Sequence, residues 1–134
     1  MAMAAPAQAN HNDDSKHGCT VIPKEPRDLR GNRVDFKIEV DCDGSKTVQI
    51  RQLRYEDERG PRRSDDFLGG SRFTEKFDRW DNSRTIHSID HVPNLDRRGA
   101  EEVYHLVSFR VKNDRGDWSG WTDWKMSKVV EVRR

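Results

Sequence analysis

Apolar and polar residues alternate along much of the chain, and the alternation is clearest in the segment RVDFKIEVDC. Its apolar positions are Val34, Phe36, Ile38, Val40 and Cys42. A period of two is typical of a β-strand with one buried face. The segment EVYHLVSFRVKN has a second clear period of two, at Val103, Val107, Phe109 and Val111. These two segments predict the main strands of the fold.

Five further segments have weaker strand patterns. They are CTVIPKEPRDL, KTVQIRQLRYEDE, RFTEKFDRW, SRTIHSIDHV and the tryptophan-rich stretch with MSKVVEV. Turn sequences such as Arg30-Gly31-Asn32 and Asp43-Gly44-Ser45 separate them. No segment shows a convincing run of apolar residues at helical spacing. We therefore predict an all-β fold, a seven-stranded antiparallel β-sandwich, whose two thin layers suit a chain with only 32% hydrophobic residues.

Three details of the core follow from the same pattern. In KTVQIRQLRYEDE the pair Val48 and Ile50 has one parity and the pair Leu53 and Tyr55 has the other, so a β-bulge near Arg51–Gln52 is expected to turn both pairs inward. The segment SRTIHSIDHV is expected to be a strand centred on Ile86 and Ile89. Trp80 is also expected in the core.

The two cysteines, Cys19 and Cys42, are equidistant from the turn at Arg30–Gly31. In an antiparallel hairpin they would lie opposite each other, and a disulfide between them would stabilise the fold by about 3 kcal/mol. The alternative is two unrelated buried thiols in a cytosolic protein.

The N-terminal composition adds an expectation about location. Ala7-Gln8-Ala9 has the form of a signal-peptidase site, so we interpret residues 1–9 as a start codon or cloning remnant joined to the end of an export signal. Residues 1–18 are then a disordered tail, and residues 19–134 are a single domain of a secreted, extracellular protein. The net charge of +1 argues against nucleic acid as a partner, and apolar runs of at most two residues after the N-terminus argue against membrane insertion.

The run YHLVSFRVKNDRGDWSGWTDW resembles the F strand, F–G loop and G strand of a fibronectin type III domain. The likeness rests on the alternating apolar residues, an asparagine three residues before a glycine, and the following Trp-Ser. WSGWT, from Trp118 to Thr122, also resembles the WSxWS sequence of class I cytokine receptors, from which it differs by one hydroxyl residue. The resemblance implies a fibronectin type III or immunoglobulin-like sandwich.

Trp118, Trp121 and Trp124 are three residues apart, so on a strand their rings would point to alternate faces. On a polyproline II segment, with three residues per turn, the rings share one face. The resemblance implies this form, with cationic side chains of the F strand between the rings. The residues expected to face outward from that strand are Ser108, Arg110 and Lys112. The alternative is an exposed row of rings that stacks on sugars or unstacked bases.

Two further features are candidates for binding. Arg115-Gly116-Asp117 is the integrin-recognition tripeptide and falls in the predicted F–G loop, although a chain this rich in these residues could contain it by chance. Phe67 and Leu68 lie in a long polar loop from Glu56 to Ser71, as a partner anchor or as a pair that tucks under the sheet.

The sequence contains no motif for catalysis, so no catalytic residue, cofactor or metal is predicted. His11, Asp13, Asp14 and His17 lie in the expected tail, and His87, Asp90 and His91 have no spacing typical of zinc. We expect a non-enzymatic module that binds a protein partner at a cell surface. The alternatives are a carbohydrate-binding accessory module, or a secreted enzyme or inhibitor whose site is not visible in the sequence. The oligomeric state is left open. The candidate binding residues are Arg110, Arg115, Gly116, Asp117, Trp118, Trp121, Trp124, Phe67 and Leu68.

Overall fold

A computed structural model describes residues 15–57, 65–92 and 100–133 of the chain. These residues form an all-β structure of antiparallel strands. The strands are β1 (Ser15–Lys16), β2 (Cys19–Pro23), β3 (Arg27–Arg30), β4 (Arg33–Asp35), β5 (Ile38–Cys42), β6 (Lys46–Glu56), β7 (Asp66–Phe77), β8 (Ser83–Ile86), β9 (Ile89–His91), β10 (Ala100–Lys112), β11 (Lys125–Met126) and β12 (Val130–Arg133).

The described residues therefore contain twelve strands in three sheets where the sequence predicts seven strands. Four of the predicted strands are each divided in two by a break, and β1 lies within the segment expected to be a tail. Residues 1–14 of that expected tail, including the residues interpreted as the end of an export signal, fall outside the described residues.

One sheet has four strands in the order β1-β2-β5-β8, and another has three in the order β3-β4-β9. The third sheet has the order β11-β10-β6-β7, and β12 also pairs with β10. We call the last of these the five-stranded sheet. Its longest pairing joins β6 to β7, with one register shift between Arg54 and Tyr55.

The predicted cysteine hairpin is confirmed. Cys19 pairs directly with Cys42 between β2 and β5, and the two residues form a disulfide with Cα atoms 4.0 Å apart. The predicted turn lies between β3 and β4, where Arg30 pairs with Arg33 across Gly31-Asn32. Both turn residues have positive φ, 63° and 62°. This backbone matches the strand twist and favours glycine and asparagine.

Two clusters of buried apolar side chains form the core. The larger joins the four-stranded and five-stranded sheets, which therefore pack face to face; it comprises Cys19, Val21, Ile38, Val40, Cys42, Val48, Ile50, Phe77, Ile86, Val107, Phe109 and Val111. The smaller joins the three-stranded sheet to the other end of the five-stranded sheet, and it comprises Val34, Phe36, Val92, Val103 and Val132. Every apolar position of the two strongest sequence patterns belongs to one of these clusters.

The bulge expected near Arg51–Gln52 is wrong. Strand β6 keeps one alternation from Val48 to Glu56 and buries Gln52 and Arg54 on its inner face, while Leu53 and Tyr55 lie on the outer face. The alternation survives because hydrogen-bond partners inside the protein satisfy the polar groups of Gln52 and Arg54.

The structure exposes Trp80, which is expected in the core, and Ile89, which is expected at the centre of a strand. Trp80 is 84% exposed in the turn between β7 and β8, and Ile89 is 54% exposed in β9. Trp80 lies beyond the end of β7, where Asp78 Oδ1 accepts hydrogen bonds from the backbone N–H groups of Trp80 and Asp81 and forms a tight turn. A ring in such a turn has no sheet to pack under, which is why the expectation fails.

Candidate functional site

The tryptophan-rich segment lies beside β10 and replaces a regular strand there. Residues 119–124 have no strand assignment. Ser119 N–H donates to Val111 O, and Val111 N–H donates to Ser119 Oγ at 3.0 Å. Thr122 repeats the arrangement with Phe109, whose N–H donates to Thr122 Oγ1 at 3.0 Å. Each hydroxyl thus accepts from a strand amide in place of a backbone carbonyl, so the segment follows β10 without a strand's side-chain alternation.

Because of this path the three indole rings stack with cationic side chains. Arg110 lies 4.7 Å from the ring centroids of both Trp118 and Trp121. Arg51 lies 4.5 Å from those of both Trp121 and Trp124. A cation shared by two consecutive rings must lie between them. We call this arrangement the tryptophan–cation ladder; its members are Lys112, Trp118, Arg110, Trp121, Arg51 and Trp124, with Arg72 at its side.

The ladder confirms that the three rings share one face and that Arg110 and Lys112 contribute cations. The sequence reasoning missed Arg51 of β6 and Arg72 of β7. Arg51 has the parity opposite to the inward Val48 and Ile50, which is a usable signal, but nothing in the alternation identifies β6 as the neighbour of β10. Ser108 is fully buried, and its hydroxyl donates to Thr122 O at 2.6 Å.

The ladder leaves little ring surface for a ligand. Trp118 and Trp121 are each half-buried and each have two or more cations within 5.5 Å of the ring centroid. Trp124, at the end of the ladder, is the most exposed of the three at 37%. Sugar or base stacking requires an open ring face, and the described contacts occupy those of the first two rings.

The tripeptide Arg115-Gly116-Asp117 forms an exposed turn that follows β10. Asn113 holds this turn, because its Oδ1 accepts from the N–H groups of both Arg115 and Asp117 at 2.9 Å. Gly116 has a φ of 88°, a conformation that favours glycine. The turn is therefore ordered by its own sequence, and the side chains of Arg115 and Asp117 are left exposed.

Three other turns lie at the same end of the molecule. Lys112 pairs with Thr47, and Lys46 pairs with Phe77, so β10 ends beside the start of β6 and the end of β7. The turns at this end are 17–18, 43–45, 78–82 and 113–117, and we call them together the loop end. The exposed Trp80 belongs to the turn 78–82.

A cluster of buried polar side chains lies where the three-stranded sheet meets the four-stranded sheet. Gln52 Nε2 donates to Phe36 O at 3.0 Å and to His105 Nδ1 at 2.8 Å. Gln52 Oε1 accepts from Arg54 Nη1 and from Ser88 Oγ, both at 2.6 Å. Because both ends of the amide are matched, its orientation is fixed, and His105 Nδ1 acts as the acceptor.

The same cluster satisfies the backbone at the breaks between strands. His105 Nε2 donates to Lys24 O at 2.8 Å, and Ser88 N–H donates to Asp35 Oδ1 at 3.0 Å. His105 is therefore neutral and fully buried, and burial, aided by the nearby charge of Arg54, lowers its pKa to about 4. Because the cluster has its donors and acceptors matched internally, its geometry is that of a structural element.

Phe67 and Leu68 lie in β7 and not in a loop. Phe67 is 58% exposed and contacts Tyr55 edge-on, at 5.5 Å between ring centroids. Tyr55 stacks on Tyr104 at the same separation. Leu68 is half-buried and packs against the smaller core cluster. The two members of the predicted anchor thus differ, and Phe67 alone is largely open to solvent.

Among residues 15–57, 65–92 and 100–133, no group of three or more histidine, cysteine or acidic side chains could hold a metal ion. His87 Nδ1 instead contacts Asp35 Oδ2 at 2.6 Å, and Asp90 Oδ2 accepts from Arg54 Nε at 2.7 Å. Candidates His11, Asp13 and Asp14 lie outside the described residues.

Comparison of the chain with protein-family models and with curated protein sequences found no match. Within the part of the chain that the structure describes, no helix has the length and apolar character needed to cross a membrane.

Proposed function

We propose that the chain is a fibronectin type III-like β-sandwich. The three-stranded sheet repeats the strand order of the four-stranded sheet, because β3 follows β2, β4 precedes β5 and β9 follows β8. Hydrogen bonds continue across the breaks, from Lys24 N–H to Lys37 O and from Phe36 N–H to Ser88 O. If β2 with β3, β4 with β5 and β8 with β9 are each regarded as one strand, three long strands oppose β6, β7, β10 and the β11–β12 pair. This is the arrangement that the resemblance implies.

We further propose that the molecule is a non-enzymatic, extracellular module that binds a protein partner at a cell surface through the loop end. The observation that carries this proposal is the placement of the exposed Trp80 and the exposed Arg115-Gly116-Asp117 turn at one end of the sheets. Exposed aromatic and arginine side chains supply most of the binding energy in protein interfaces. The disulfide supports an extracellular location, because such bonds persist in oxidising compartments.

The test is the attachment of integrin-bearing cells to a surface coated with the protein. Asp117→Glu should reduce attachment about tenfold or more, because a longer side chain misplaces a carboxylate that is recognised at short range. Asp114→Glu makes the same change in the same exposed turn and should leave attachment unchanged. A soluble Arg-Gly-Asp peptide should compete, and the matching Arg-Gly-Glu peptide should not.

Trp80→Ser gives a second, independent reading of the loop end. The ring is exposed, so its loss should change stability by no more than about 0.5 kcal/mol and should still weaken attachment. Attachment that is absent for the unmodified protein, or that neither Asp117→Glu nor Trp80→Ser reduces, would contradict the proposal. Retention on a glycan array that is lost in Trp124→Ala would instead indicate a carbohydrate-binding module.

A further inference from the structure

Apolar side chains cross the outer face of the five-stranded sheet, the face away from the core. One row, given by the strand register, runs through Gly70, Leu53, Leu106 and Met126. The next row runs through Phe67, Tyr55 and Tyr104. The ring centroids of neighbouring residues in this row lie 5.5 Å apart. Met126 is 48% exposed and Phe67 is 58% exposed. Leu53, Tyr55 and Leu106 are partly exposed, whereas Tyr104 is buried and its hydroxyl donates to Asp65. A contiguous apolar surface that is partly open to solvent is typical of an interaction site.

Gly70 lies at the open end of the first row. It is exposed, and β7 is the last strand of its sheet. Its missing side chain leaves the adjacent Leu53 half-exposed, so that a partner's backbone can approach the row closely. At the other end of the face, Trp124 lies 37% exposed at the end of the ladder.

Cationic residues occupy the adjoining rows of the same face. Arg72, Arg51 and Ser108 form the row next to Leu53 and Leu106. The two rows beyond contain Thr74, Gln49 and Arg110, and then Lys76, Thr47 and Lys112. Across these three rows the outward positions of β6, β7 and β10 include no aspartate or glutamate. Because the whole chain has a net charge of only +1, this part of the face is distinctly positive.

We propose that this outer face is a second docking surface, for a protein segment that presents acidic residues beside apolar ones. The apolar rows receive the apolar side chains, and the exposed cations of the adjoining rows, Arg72 and Lys76, receive the carboxylates. Arg51, Arg110 and Lys112 are held against the rings of the ladder and add positive charge to the face without being open themselves. Adjacent rows on one face are two residues apart, about 7 Å. An acidic and an apolar side chain of the partner are therefore separated by about one turn of a helix, or by two residues along a strand.

Two other occupants fit the face less well. A sulfated polysaccharide would be attracted by the cations but has no apolar groups to cover Met126 and Phe67. A second copy of this chain would bring its own cationic rows to the interface, and these three rows contain no carboxylate to pair with them. The docking surface is distinct from the loop end, so either proposal can fail without the other.

The experiment selects a displayed library of random short peptides on the immobilised full chain. The enriched peptides should combine aspartate or glutamate with leucine, isoleucine or phenylalanine. Met126→Glu and Arg72→Glu should each weaken the Kd of an enriched peptide by about tenfold or more. The matched controls are Ile89→Glu, at a comparably exposed apolar residue of the three-stranded sheet, and Arg33→Glu, at an exposed arginine of that sheet. Both controls should bind as the unmodified chain does.

Several results would overturn the proposal. One is a selection that enriches no peptide, and another is peptide binding that neither Met126→Glu nor Arg72→Glu weakens. Retention on heparin that Arg72→Glu abolishes and Met126→Glu does not would identify a polyanion as the occupant. Dimerisation in sedimentation experiments that Met126→Glu abolishes would identify a second copy of the chain.

Discussion

Gln52 donates a hydrogen bond to Nδ1 of His105 at 2.8 Å, deep between the sheets. A protonated His105 would carry a hydrogen on this nitrogen and would meet the donor group of Gln52. The pair therefore holds the imidazole neutral, in agreement with the lowered pKa, about 4.

This pair predicts a specific loss of stability in acid. The unfolded chain, with a histidine pKa of 6.5, binds a proton that the folded protein excludes until the pH approaches about 4. Stability is thus complete above pH 6.5 and falls as the pH is lowered, by about 3 kcal/mol at pH 4 from this group alone. Urea unfolding at several pH values measures the slope. His105→Gln should be less stable but should lose this slope between pH 6.5 and 5, and an unchanged slope would contradict the assignment.

Gly69 leaves the space for the ion pair between Arg54 and Asp90. A Cβ at this position would lie 2.9 Å from Arg54 Nη2 and 3.2 Å from Asp90 Oδ2. Gly69→Ala should therefore destabilise the protein by about 1 to 3 kcal/mol, through crowding of a partly buried charge pair. At Gly120 an added Cβ would meet nothing within 4 Å. Thermal unfolding of both variants checks the prediction, and equal effects of Gly69→Ala and Gly120→Ala would refute it.

The hydroxyl of Thr122 substitutes for a strand carbonyl, because it accepts from the N–H of Phe109. Thr122→Val keeps the shape of the side chain and removes the acceptor, so it should cost about 1 to 3 kcal/mol in the free energy of unfolding. Thr122→Ser restores the hydroxyl and should recover most of the loss. Amide hydrogen exchange at Phe109 should be faster in the valine variant only; equal protection in all three proteins would show that the bond contributes nothing.

Sequence patterns predicted those parts of the fold that depend on local alternation. The pairing of Cys19 with Cys42 followed from their distance to one turn, and the shared face of the three tryptophans followed from their spacing. The prediction of a bulge is wrong because it rests on the premise that only apolar side chains of β6 are buried. Gln52 and Arg54 are buried instead, beside strand breaks whose backbone groups need polar partners.

The remaining features depend on which strands become neighbours. Arg51 joins the ladder because β6 pairs with β10, and alternation within one segment contains no information on that pairing. Trp80 was expected in the core on size alone, yet Asp78 places it in a turn beyond the sheet. Phe67 lies in β7, which begins at Asp66, although the two glycines that follow Leu68 are typical of a loop.

Arg110 is the cation with the most contacts in the ladder. Besides its two rings, its Nε and Nη2 donate to Gln49 Oε1 at 2.9 and 2.6 Å. Arg110→Ala should lower the free energy of unfolding by about 1 to 2 kcal/mol, since each cation–ring contact at an exposed site contributes about 0.5 to 1 kcal/mol. Arg72→Ala removes a more distant contact, 5.4 Å from Trp121, and should cost less than about 0.5 kcal/mol. Urea unfolding of both variants measures the difference, and equal losses would contradict it.

The rings and cations of the ladder are expected to brace the outer face, while the loop end stays free to bind. A double-mutant cycle on Arg110 and Trp118, with Arg110→Met and Trp118→Leu, measures that bracing directly from urea unfolding. Their ring contact is 4.7 Å, and the predicted coupling energy is about 0.5 to 1 kcal/mol in favour of the native pair. A coupling energy of zero within error would show that the ladder is a surface arrangement without a stabilising role.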